Sequence, residues 1–200
     1  MYNLEKYLLV DCGDDGEETV HLTVWELLSE NRIGETTERS DGFCGGTFVD
    51  KEFLEFFEDK VGKSAMDMLK KNNYNQVNYL VQQFCFHVKI PFTNEKSDFE
   101  TFELDIDRKC PALKKYVTGS EKKKLSNDDW IIDINFETVK GFFDPVIDKI
   151  LKLIEQQLKK CPDCSIMFLV GGFSESKYLQ SRVKQKFRRR IKIAGVFIAQ

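Results

Sequence analysis

Asp11, Cys12 and Gly13, in the stretch LLVDCGDDGEETVHLTV, have the residue types of a phosphate-holding turn. A glycine there lets phosphate approach the backbone closely. The next five residues oppose that chemistry, because Asp14, Asp15, Glu17 and Glu18 are acids. Gly45-Gly46 is a second glycine pair, whose plain reading is a turn leading into a helix. Gly171-Gly172, followed by Phe173, Ser174 and Glu175, is a third. It lies at the end of an apolar run, where a ligand could approach the backbone and meet the N–H groups of a following helix. Cys161-Pro162-Asp163-Cys164 has the spacing of a redox pair or half a zinc site. With no second such pair nearby, it reads as structural. His21 reads as a half-exposed strand residue, and two histidines without clustered ligands give a metal-hydrolase no support.

The elements that must position these residues follow from periodicity. Lys6 to Cys12 and Thr19 to Leu28 alternate as the arms of a β-hairpin, with the acidic stretch as its loop. Arg32 to Ser40 is expected to add a third strand. Val49, Phe53, Phe56, Phe57 and Lys60 follow helical spacing, with Gly62 as the stop. Val77, Leu80, Val81, Phe84 and Val88 form a second helical stripe, ending near Ile90 because Pro91 disfavours helix before it. Phe102, Leu104 and Ile106 alternate as a strand. The pattern lapses from Asp107 to Asp129, where Lys122-Lys123-Lys124 reads as a solvated loop rather than an anion site. Order returns at Trp130 to Ile134. A long helical segment follows, with Pro145 starting its second part and Ile147, Ile150, Leu151, Ile154 and Leu158 on one face. Ser165 to Val170 reads as a strand covered on both sides, and Ser176 to about Phe187 as an amphipathic helix.

Composition bounds the function. With 42% hydrophobic and 32% charged residues the chain is globular, and its net charge of −3 argues against a nucleic-acid binder. No apolar run is long enough to span a bilayer, so no membrane role is expected. Six cysteines scattered through apolar segments fit a reducing compartment, with the cytoplasm as the expected location.

The motifs LLVDCG…TVHLTV, GFCGGTFVDKEFLEFF, QFCFHVKIPF and IMFLVGGFSESKYLQ run through nearly the whole chain. In this order they resemble the second lobe of the actin-like ATPase domain of seventy-kilodalton heat-shock chaperones, nearest the divergent heat-shock 70 kDa protein 12-like branch. The resemblance implies an α/β fold, ribonuclease H-like, with a mixed sheet and packed helices. It also implies that residues 1–200 form a single partial domain, with the second lobe present and the first lobe and substrate-binding domain absent. In this family ATP lies between two lobes, its phosphates and magnesium held by a hairpin from each and its adenosine on the second lobe.

Carried over residue by residue, Asp11 inherits the aspartate that orients water around magnesium, and Gly13 and Thr19 match the first glycine and the threonine of the phosphate hairpin. Five residues replace the next two glycines, and His21 stands where the closing aspartate belongs. Gly45 and Gly46 match a glycine pair near the phosphates. Lys89 matches a lysine beside adenine or ribose, while Phe86 and Ile90 replace the family's nearby glutamate and arginine. Gly171, Gly172, Phe173, Ser174 and Glu175 match the adenosine turn, with Lys177 where many members have proline.

Each added carboxylate within about 4 Å of the phosphates would cost on the order of several kcal/mol at an effective dielectric near 20. Swinging the acids into water avoids most of that cost and leaves the amide cradle unrestored. The resemblance thus implies ATP or ADP held weakly and led by the nucleoside, magnesium arriving with the phosphates, and little or no hydrolysis. The competing reading is a non-catalytic interaction module that binds no nucleotide. Without a first lobe, the surfaces near Lys6 to Cys12 and the β-prone segments YLLV and IKIAGVFIA are expected to be open. That would favour self-association or a client or partner protein.

Overall fold

A computed structural model describes residues 5–13, 19–29, 32–36 and 39–197. In chain order the strands and helices begin with β1 (Lys6–Cys12), β2 (Thr19–Ser29), β3 (Arg32–Glu35) and β4 (Ser40–Phe43). Helices α1 (Thr47–Val61), α2 (Lys63–Asn72) and α3 (Tyr74–Phe84) follow. Then come β5 (Phe102–Asp105), α4 (Ile106–Lys109), α5 (Gly119–Asn127), β6 (Ile131–Ile134) and α6 (Phe136–Lys160). The last elements are β7 (Ile166–Val170), α7 (Lys177–Phe187) and β8 (Lys192–Phe197). Two compact units divide the chain, one made of residues 1–48 and 144–200, the other of residues 49–143.

The discontinuous unit carries a mixed sheet in the order β3-β2-β1-β7-β8, with β4 pairing the early part of β2. Alternation explains its hairpin. Leu8 and Val10 of β1, and Val20, Leu22 and Val24 of β2, are fully buried, while Leu9, His21 and Thr23 between them are only partly covered. The antiparallel register sets Asp11 opposite His21 and Cys12 opposite Val20. On its other side β1 runs parallel to β7, with Leu9 opposite Phe168 and Asp11 opposite Val170. β1 is therefore an inner strand with no free edge, which corrects the expectation that YLLV lies open. Only β8 of the two β-prone segments forms a sheet edge among the described residues. Strand β7 also departs from its expected cover, because Met167 and Leu169 are buried while Ile166, Phe168 and Val170 are half-buried. Tyr7 packs edge-on against Phe168 on that half-covered face at 5.6 Å.

The continuous unit is built on aromatic packing. Phe53 of α1 stacks on Phe84 of α3 at 4.3 Å and 2°, and Phe142 meets both rings edge-on. Gly62, at φ +87, separates α1 from α2 with a backbone geometry that suits glycine. The helical stripe of α3 ends at Phe84 and passes into a π-turn, Cys85–Lys89, before Pro91. β5 and β6 form a two-stranded antiparallel sheet pairing Leu104 with Ile132.

Three further expectations are corrected. The stretch 107–129 is not a loop, since α4, a 3₁₀ turn at Pro111–Lys115 and α5 occupy it, with Lys122-Lys123-Lys124 on α5. Only Leu125 of α5 is buried, so its sequence carries almost no apolar stripe. Arg32 to Ser40 is not one strand, because β3 and β4 pair different stretches of β2. Pro145 lies inside an uninterrupted α6 rather than at the start of a second part.

Candidate functional site

The carboxyl ends of the parallel strands β1 and β7 lie side by side, the place where ligands enter open α/β sheets. Asp11 and Gly171 meet there. Gly171 has φ +84, and a Cβ on it would fall 2.5 Å from Asp11 Oδ1 and closer still to the Cys12 carbonyl oxygen. No side chain fits in that space, so the turn depends on glycine for its backbone angle and for its contact. Ser174 Oγ closes the turn by donating to the Gly171 carbonyl at 2.6 Å, and Gln180 Nε2 donates to the Ser174 carbonyl at 2.9 Å. Phe173 and Ser174 are buried, so they hold the turn's shape, while Gly172 and Glu175 are its exposed members.

The second glycine turn joins the same place. Gly46 N–H donates to the Gly13 carbonyl at 2.9 Å, and Gly13, Gly45 and Gly46 are all buried. That amide is already engaged by the protein. The pair lies beside the Asp11–Gly13 segment and leads directly into α1.

Thr19 and His21 extend the site along β2, which β4 pairs so that Thr19 faces Phe43 and His21 faces Asp41. Thr19 Oγ1 lies 2.9 Å from His21 Nε2, and His21 Nδ1 lies 2.5 Å from Asp41 Oδ1. Arg39 Nε donates to the same carboxylate oxygen at 3.2 Å. The hydrogen bond from His21, with Arg39 beside it, holds the Asp41 carboxyl below the usual carboxylate range. Asp41 is the member of this row that sequence spacing alone does not single out, because only the β2–β4 register brings it to His21.

Lys89 belongs to the other compact unit, where it is 6% exposed. Its ammonium donates to Asp50 Oδ2 at 3.0 Å, and Cys85 Sγ approaches Asp50 Oδ1 at 3.4 Å. A buried lysine is stabilised by such a partner whether or not it also meets a ligand. The acidic stretch 14–18 lies outside the described residues.

Metal chemistry has a narrow base. Among the described residues no group of three or more His, Cys, Asp or Glu is arranged to hold a metal ion. Asp11 stands at the end of β1 as one carboxylate beside the Gly171 turn. The cysteine pair is likewise unsuited to thiolate chemistry. Burial, followed by the hydrogen bond with Cys161, pushes the Cys164 thiol up to about 12, and burial also raises Cys161. Asp163 between them accepts from Lys6 Nζ at 2.6 Å, a bond that holds its carboxyl down to about 2. We expect metal analysis of the purified chain to find no stoichiometric zinc, and an insulin-reduction assay to find no reductase activity. About one zinc per chain would overturn the structural role of the pair.

The class defined by this geometry is α/β, a mixed sheet with packed helices and a glycine turn at the carboxyl ends of two parallel strands. No family model matches the chain. Among curated proteins it is similar to heat shock 70 kDa protein 12A of Homo sapiens, at 26% identity over 202 residues, covering 92% of this chain and 28% of the human protein. The mouse protein of the same name is also 26% identical, over 208 residues, covering 94% of this chain and 29% of its own length. The chain thus spans less than a third of the length of these relatives. The similarity agrees with the actin-like ATPase fold that the motifs resemble.

Proposed function

We propose that the chain is a chaperone-like nucleotide-binding domain whose binding is weak and led by the nucleoside, with little or no ATP hydrolysis. The carrying observation is the Gly171 turn seated against Asp11 and Cys12 where β1 and β7 end. Gly172 and Glu175 would meet the nucleoside there, and Asp11 would face a phosphate-borne magnesium ion through water. The phosphate side is poorer. Gly46 N–H is taken by Gly13, and five residues with four acids stand where the resemblance implies two glycines. Phosphoryl transfer gains its rate from positioning and electrostatic stabilisation of the γ-phosphate, which such a hairpin supplies poorly.

Titration of the purified chain with adenosine, ADP and ATP, each with and without magnesium, is expected to give similar weak affinities. Replacing Asp14–Glu18 by Gly-Gly is expected to raise ATP affinity and leave adenosine affinity unchanged. A strong preference of the unaltered chain for magnesium-ATP would overturn the nucleoside-led reading. No binding of any of the three would favour the interaction-module reading.

A further inference from the structure

From Asn72 to Val88 the chain contains no Lys, Arg, Asp or Glu, although 32% of all its residues are charged. Helix α3 and the π-turn after it occupy most of this stretch. Their inward residues are apolar, as expected: Val77, Leu80, Phe84 and Val88 are buried. The outward residues are the unusual ones. Asn75, Asn78 and Gln82 are spaced three and four apart, so they form one exposed uncharged stripe on α3. Tyr79 is 41% exposed and Phe86 70% exposed. A solvated helix face in a protein this rich in charge would ordinarily carry lysines and glutamates. Depletion of charge together with exposed aromatic side chains is the composition of an interface centre.

The stripe forms one wall of a groove of about 600 Å³, whose opposite wall includes Arg108 and Lys109 of α4. Among the described residues no carboxylate lines it. Lys109 is held in place, its ammonium donating to Gln83 Oε1 and lying 5.6 Å over the Tyr79 ring. Arg108 is anchored through Nε to Asp105 Oδ2 at 3.2 Å, with 84% of its side chain exposed. The groove therefore presents carboxamides, which can donate to and accept from an extended backbone, beside two cations that pair with carboxylates.

We propose that this groove docks an extended acidic segment of a partner protein, with its glutamate or aspartate side chains on Arg108 and Lys109 and its backbone along Asn75, Asn78 and Gln82. Charge complementarity selects that occupant. A basic segment would bring cation against cation, and an apolar one would leave the carboxamides unpaired.

The test uses the whole chain and a fluorescein-labelled peptide of alternating glutamate and serine, about ten residues long, able to span about 30 Å when extended. Fluorescence anisotropy is expected to show saturable binding that weakens as salt rises from about 50 mM to about 200 mM. The double variant Arg108→Glu, Lys109→Glu is expected to weaken binding at least about tenfold, and Tyr79→Ser by severalfold. All three positions are outside the core, so circular dichroism should remain that of the unaltered chain. Lys184→Glu on α7, a charge reversal in the other unit, should leave binding unchanged. A lysine–serine peptide of the same length should not bind. Equal binding of the two peptides, unchanged binding by the double variant, or no binding at millimolar peptide would overturn the proposal. So would sedimentation showing that the chain alone forms a dimer split by Lys109→Glu, because the occupant would then be a second copy.

Discussion

Replacing Gly171 by alanine is expected to destabilise the sheet-bearing unit by about 2 to 6 kcal/mol and to abolish adenosine binding. Two costs add. At φ +84 and ψ 161 a side chain strains the backbone by about 1 to 3 kcal/mol, and a Cβ there falls 2.5 Å from Asp11 Oδ1, forcing a close-packed turn to move at a further cost of about 1 to 3 kcal/mol. For a chain of this size each kcal/mol lowers Tm by about 2 to 4 °C, so thermal melting should fall by about 4 to 24 °C. Gly172→Ala provides the contrast. Gly172 has no positive φ and is exposed, so its substitution should leave stability within about 0.5 kcal/mol while obstructing a nucleoside that lies on the turn. Equal melting of Gly171→Ala and the unaltered chain would show that the turn does not depend on glycine.

Phe53→Ala is expected to cost about 3 to 5 kcal/mol, the usual loss for an aromatic ring removed from a packed core. Phe53 is fully buried, stacked on Phe84 at 4.3 Å and touched edge-on by Phe142. These rings belong to the 49–143 unit, so the damage should appear as faster amide exchange in α1 and α3. Phe86→Ala, at a ring that is largely exposed, should change stability by less than about 0.5 kcal/mol. A comparable loss at both positions would mean that the core is not organised around Phe53.

The parts of the fold legible in the sequence are those with strong local periodicity. β1, β2 and β7 carry alternating or continuous apolar residues, and the glycines after β7 mark its turn, so the turn at Gly171 could be placed at the end of a strand. The elements that escaped are those whose stability is mostly tertiary. Helix α2 packs its buried Ala65, Met66 and Leu69 into a stretch of only ten residues, and α5 buries only Leu125. The row Thr19, His21 and Asp41 was half legible. Strand alternation puts Thr19 and His21 on one face, but Asp41 joins them only through a pairing of β2 with β4. The register is fixed by which face the sheet buries, a property of the assembled strands rather than of the segment around Asp41.

The parallel pairing of β1 with β7 has a consequence for how the chain is made. β1 ends at Cys12 and its parallel neighbour begins at Ile166, so one side of β1 has no partner until the intervening residues have been synthesised. At about 5 to 20 residues per second the wait is roughly 8 to 30 seconds. The 49–143 unit is contiguous and can close its own contacts during that interval, whereas the hairpin must wait with Tyr7 to Asp11 exposing ladder groups to solvent. Until β7 arrives, the side of β1 that it will pair is an unpaired apolar edge, the kind of surface that invites pairing with another chain.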